Sequence, residues 1–136
     1  MAATAMLRKL ERATNDHDLD ALVDCFAADY RNETPAHPAR GFRGRDQVRA
    51  NWSQIFAGVP DLRAVVLRST LDGATVWSEW EMTGTRRDGT EHLMRGVVIF
   101  DVADGRATSG RFFLEPVDRS GADVNTAVRA AVGATS

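Results

Sequence analysis

Asn32, Glu33, Thr34, Pro35 and His37 stand within a single short polar run that holds the residue types able to bind oxygen and move protons. An imidazole titrates near neutrality, so His37, set between Pro35 and Pro38, is a candidate base, with Glu33 as the second. Asn32 and Thr34 can only hydrogen-bond, a role suited to orienting a ligand. Arg95 lies far along the chain in an apolar stretch. A guanidinium there is costly unless it meets a carboxylate, solvent or a ligand oxygen, which makes it a candidate oxygen-holding group. His17 and His92 complete the histidines, and the three show no spacing suited to a metal, so no metal site and no cofactor are expected. Cys25, the single cysteine, has no basic or imidazole neighbour in sequence and reads as a small buried side chain.

Three Asp-Gly pairs, Asp72-Gly73, Asp88-Gly89 and Asp104-Gly105, recur every sixteen residues between runs rich in Val, Leu, Trp and Phe. Each predicts a tight hairpin turn, so four strands from Leu62 to about Val117 form an antiparallel meander. A two-residue loop at Asp88-Gly89 sets Arg95 opposite Met82, Val97 opposite Trp80 and Ile99 opposite Ser78. Carried through the other turns, the same face gains Val65, Leu67, Ser69, Gly110, Phe112 and Leu114. This mostly apolar face is expected to point inward, with Ser78, Trp80, Val97 and Phe112 lining a pocket beside Arg95. Trp77, Glu79, Glu81, Met94, Val98, Phe100, Arg111, Phe113 and Glu115 then fall on the outer face, with His92 also turned away from the interior. Apolar groups mixed with charges there suit a partner, and a homodimer through the sheet is predicted.

Upstream, the apolar spacing is helical. Leu7 and Leu10 open a first stripe, and Leu19, Leu22, Val23 and Phe26 give a second, with Asp18 placed as its cap. Tyr30 to Thr34 reads as a short strand and the Pro- and Gly-rich stretch to Gly44 as a loop. A third helix carries Val48, Trp52, Ile55 and Phe56 on one face and stops at Gly58 and Pro60. Trp52 is both a core residue and a candidate ligand contact. The tail from Ala122 to Val132 predicts a weak helix. The fold class is therefore α+β, three N-terminal helices packed on a curled antiparallel sheet in the order α-α-β-α-β-β-β-β.

The ordered motifs Asp18-Leu19-Asp20, Phe26-Ala27-Ala28-Asp29, a strand ending at Pro35 and a helix ending in Val59-Pro60-Asp61 resemble the nuclear transport factor two-like superfamily. Within it the chain is most similar to bacterial SnoaL-like domains and, more distantly, to ketosteroid isomerases. The resemblance covers roughly residues 5–117 and implies a cone-shaped fold around a deep pocket, often dimeric through the sheet. It also implies where catalytic groups should stand. The isomerase base falls on Thr34, the helix-one tyrosine on Leu10 and the strand acid on Val97, none of which can do those tasks. A SnoaL-like acid would fall near Phe112.

The chain of 136 residues reads as one domain, 1–136, large enough for a core without disulfide or metal. One cysteine and the absence of a long apolar segment point to a cytoplasmic protein, with no membrane partner. A net charge of −2 with acids and bases interspersed excludes the basic stripe that nucleic acid requires. The expected partner is a small apolar molecule carrying a carbonyl or carboxylate. Two readings of that pocket stay open: a binding protein without the family's usual acids, or an isomerase, cyclase or lyase using His37 or Glu33 as base and Arg95 on the oxygen.

Overall fold

The computed structural model describes residues 2–134. Its first helix, α1 (Ala2–Asp16), buries Met6, Leu7, Leu10 and Ala13 along one stripe. His17, at a positive φ of 53°, ends it, and its ring stacks on Phe56 at 4.5 Å and bonds the Leu62 carbonyl. The short α2 (Leu19–Asp24) starts at Asp18, whose carboxylate accepts from the Ala21 N–H as the sequence predicts. Phe26, expected to continue this helix, instead begins β1 (Phe26–Glu33). The loop beyond holds one 3-10 turn (Pro38–Arg40) and a two-residue strand, β2 (Phe42–Arg43). Next comes α3 (Arg45–Gly58), which lays Val48, Trp52, Ile55 and Phe56 toward the core.

Four long strands follow: β3 (Arg63–Asp72), β4 (Thr75–Thr85), β5 (Glu91–Ala103) and β6 (Arg106–Pro116). They are the predicted meander. The full sheet has six strands in the order β2-β1-β6-β5-β4-β3, and it is mixed because β1 runs parallel to β6. Helices cover one face, whose core runs from Leu10 and Leu22 to Trp80, Val98 and Phe100. This is the α+β cone the sequence implies. The tail forms α4 (Val124–Ala131), capped by Asp123, with Val124 and Val128 exposed.

Register decides which side chains look into the cone. Asp104-Gly105 makes the predicted two-residue turn, since Ala103 pairs with Arg106. Asp88-Gly89 does not. The Arg86 N–H donates to the Thr90 carbonyl, closing a three-residue loop of Arg87, Asp88 and Gly89, and the Asp88 carboxylate holds Thr90 through its N–H and hydroxyl. Gly89 takes the left-handed position, φ 86°, that such a loop demands. An odd loop shifts the pairing by one. Met82 thus faces Met94, Trp80 faces Gly96 and Ser78 faces Val98, so Met94, Val98 and Phe100 point inward, contrary to expectation.

Two bulges complete the correction. A register shift between Val66 and Arg68 sends Val65 outward and leaves Leu67 half exposed, with Ala64 and Val66 taking the inner places. A second shift, between Asp101 and Val102, cancels the odd loop for β6. Gly110, Phe112 and Leu114 therefore do face inward, and Arg111, Phe113 and Glu115 outward, as predicted.

Candidate functional site

Between α3, the β1–β2 loop and the inner faces of β4, β5 and β6 lies a cavity of about 380 Å³. Phe42, Trp52, Ile55, Met82, Met94, Phe112 and Leu114 form its apolar walls. Helical spacing explains α3's share: Asn51, Trp52 and Ile55 fall on the side turned toward the sheet. Below it a narrow extension of about 20 Å³ reaches Leu10, Thr14, Phe26, Trp80, Val98 and Phe100, sharing Trp52, Met82 and Phe112 with the upper part. The shape is a tapering apolar pocket with a polar mouth. Five polar side chains line that upper part: Asn32, Thr34, Arg40, Asn51 and His92. No carboxylate is among them.

His92 enters because of the odd loop. It shares the parity of Met94, pairs across from Gly84 and is half-buried. Burial, with the nearby Arg86 charge adding to it, lowers its pKa below the ordinary imidazole value, so it is neutral at pH 7. The same one-residue shift removes Arg95. Its guanidinium bonds Glu81 at 2.7 Å on the outer face, which corrects the inward placement predicted for it. Arg40 forms no recorded ion pair among the described residues and supplies the cavity's fixed positive charge.

The other predicted site residues divide cleanly. Asn32, Thr34, Trp52, Trp80 and Phe112 do line the cavity or its extension. Val97 lies opposite Glu79 and Phe113 on the outer face, a correction with the same cause as Arg95. Ser78 is buried but is not among the residues lining the cavity or its extension, which corrects its predicted role, and its hydroxyl is spent, accepting from the Trp80 indole at 2.9 Å and donating to the Val98 carbonyl at 2.8 Å. His37 bonds Glu115 at 2.7 Å, and Glu33 bonds Arg111 at 3.1 Å. Neither lines the cavity, because Glu115 and Arg111 are outward residues of β6 and hold their partners at that face.

Arg40, Asn51 and His92 are the polar lining residues that sequence reasoning missed. Asn51 was legible in principle, four residues before Ile55 on the same helix face. Arg40 sits in a loop without periodicity, and His92 required the loop length.

Asn32 is more than nine-tenths buried, and its Oδ1 accepts from the Tyr30 hydroxyl at 2.8 Å. Burial raises the Tyr30 pKa far above its usual value, so the phenol stays protonated. Gly110 faces this hydroxyl, and a Cβ there would come within 2.2 Å of it.

With this geometry in view, a family model described as the SnoaL-like domain matches residues 7–110. The chain belongs to the SnoaL-like family. Solved structures agree on the fold. An LEH-like epoxide hydrolase of M. tuberculosis superposes with a TM-score of 0.74 at 19% identity, covering 98% of this chain and 97% of the other. A candidate SnoaL-like polyketide cyclase from Jannaschia sp. CCS1 gives 0.71 at 21% identity, covering 99% and 94%. A protein of ketosteroid isomerase-like fold from Catenulispora acidiphila, solved in complex with trimethylamine, gives 0.68 at 18% identity, covering 78% and 82%. No curated protein sequence matches the chain. Among the described residues no helix is long and apolar enough to cross a membrane.

Proposed function

We propose that this SnoaL-like protein binds a small, largely apolar molecule bearing a carbonyl or carboxylate oxygen in its cone cavity. The observation that carries this reading is the composition of the lining: a continuous apolar wall, with Arg40, amides, a hydroxyl and an imidazole as its polar groups and no acid. Such a lining favours electron-rich oxygen on an apolar body. Family membership supports a ligand-binding or isomerase- or cyclase-type role. The fold relatives include proteins described as an epoxide hydrolase and a candidate polyketide cyclase, which supports a small-molecule pocket without naming its ligand.

A suitable probe is 2-acetonaphthone, a flat ketone, followed by quenching of Trp52 and Trp80 fluorescence. Saturable binding with a Kd at or below roughly 100 µM is expected. Trp52→Ala should weaken it about tenfold, the loss of one well-buried apolar contact. Quenching that never saturates, or that Trp52→Ala leaves unchanged, sinks the reading.

His92 favours a second reading, proton transfer on the bound molecule. A neutral imidazole in the cavity wall can take a proton from the carbon beside a carbonyl, the task that His37 and Glu33 lie outside the cavity to perform. The wild-type protein should speed exchange of the methyl-ketone protons of 2-acetonaphthone with D2O, read by NMR. His92→Gln should lose at least about 100-fold of that acceleration. The sign of the pH effect follows from the lowered pKa: the base form persists below pH 6.5, and the rate falls as pH drops through the depressed value. Equal rates for wild type and His92→Gln leave binding as the function.

The outer sheet face supports a further proposal, a homodimer formed through it.

A further inference from the structure

We propose that Tyr30 and Gly110 position the Asn32 amide as a fixed hydrogen-bond donor, so that the cavity selects ligands by an acceptor oxygen placed on Asn32 Nδ2. The inference rests on the cavity reading above and names the group that gives it specificity.

Three observations converge. The Asn32 side chain lines the cavity while being more than nine-tenths buried. Its Oδ1 is occupied by the Tyr30 hydroxyl, and among the described residues Nδ2 has no recorded partner. Yet no fully buried side-chain polar atom among those residues lacks a partner. Nδ2 therefore keeps some exposure, and Asn32 lines the cavity, which is where its N–H groups can meet an acceptor.

The direction of the Tyr30 bond follows from the same bookkeeping. Tyr30 is buried, its hydroxyl bonded to Asn32 and its ring meeting the Phe26 ring edge-on with centroids 4.7 Å apart. Were the phenol to accept from the amide instead, its own proton would be buried without an acceptor, a loss larger than the bond itself. Tyr30 donates, Oδ1 accepts, and the amide cannot flip without breaking that bond. Gly110 is the third part. Any side chain there would strike the Tyr30 oxygen, so the absence of a Cβ on the inner face of β6 lets the hydroxyl sit where it reaches Asn32.

A preoriented N–H donor discriminates by what it leaves unpaired. A ketone or carboxylate satisfies it, whereas a hydrocarbon of equal shape buries it. The test compares 2-acetonaphthone with 2-isopropenylnaphthalene, in which a CH2 group replaces the carbonyl oxygen. Wild-type protein should prefer the ketone by about three- to tenfold. The double variant Tyr30→Phe/Asn32→Leu replaces both partners with apolar groups of similar shape and leaves no hydroxyl unpaired, so the preference for the ketone should vanish. Tyr30→Phe frees the amide to rotate and should shrink the ratio without changing alkene affinity, an effect that a role in packing alone would not produce.

Equal wild-type affinity for both probes, or a ratio retained in Tyr30→Phe/Asn32→Leu, overturns the proposal while leaving the cavity reading intact. A ratio retained in Tyr30→Phe removes the positioning role. If neither probe binds, the cavity reading falls and this inference with it.

Discussion

Gly96 stands on the inner face of β5 directly between Trp80 of β4 and Leu114 of β6, where any other residue would push a side chain into the sheet. Its φ is 153°, and an added Cβ would lie 2.0 Å from the Phe113 carbonyl oxygen, a backbone atom that cannot step aside. Strain and overlap add, so Gly96→Ala should cost about 3 kcal/mol or more of folding stability. Urea denaturation reads this directly, and a loss under about 1 kcal/mol would show that the strand relaxes around the methyl group. Asp24 illustrates a milder, electrostatic case. Bonds from Lys9 and Arg106 draw its pKa down to about 2, joining α1, the end of α2 and β6 at an exposed site. Because its folded pKa is depressed, the contribution is complete above the ordinary carboxylate value and is lost as pH falls toward 2. Exposure keeps it small.

At the scale of elements, the strength of the sequence reading and its failure have one origin. Helix stripes such as Leu7 and Leu10, or Val48, Trp52 and Ile55, are redundant, since several residues testify to the same face, and all three N-terminal helices form, the second ending before Phe26. Strand faces carry no such redundancy, because one inserted residue reverses every assignment downstream. Asp-Gly suits both a two-residue turn, realised at Asp104-Gly105, and the end of a three-residue loop, realised at Asp88-Gly89. Nothing in the dipeptide distinguishes them. Thr90, whose N–H and hydroxyl bond Asp88, is the local feature that accompanies the longer loop. The bulges at Leu67 and near Thr108 are equally silent in composition, and the second corrected β6 only by opposing the first error. Part of the pocket was legible, through Asn32, Thr34, Trp52, Trp80 and Phe112. Its imidazole was not, because the loop length that exchanges Arg95 for His92 is a property of backbone pairing and not of residue type. The parallel pairing of β1 with β6, which brings Asn32 beside Gly110, is a long-range contact that local periodicity cannot announce.

At the scale of the molecule, the sheet separates two surfaces with different chemistry. The inner face closes on the cavity, while the outer face presents ordered rows across the strands: Trp77 beside Ile99 and Arg111, then Glu79 beside Val97 and Phe113, then Glu81 beside Arg95 and Glu115. Every carboxylate in those rows has a partner on the same chain. Arg68 bonds Glu79, Arg95 bonds Glu81 and His37 bonds Glu115, each at 2.7 Å. Charges already paired within the chain can be covered by another surface without being left unmatched, the condition that makes burying them tolerable. Between them Trp77 remains 47% exposed and Phe113 39% exposed, and Arg68, Trp77, Glu79 and Val97 border a depression of about 270 Å³. Large aromatic groups beside a recess are the features that anchor interfaces. The proposed homodimer places these central rows against their symmetry copies, which a two-fold interface permits because each surface is its own complement. Light scattering coupled to size exclusion at low micromolar concentration should give twice the chain mass. Phe113→Glu, a charge set amid the aromatic patch and remote from the cavity, should yield a folded monomer that still binds 2-acetonaphthone with unchanged affinity. A wild-type protein of single-chain mass under those conditions would leave Trp77 and Phe113 as solvent-facing residues and remove the dimer from the account of this fold.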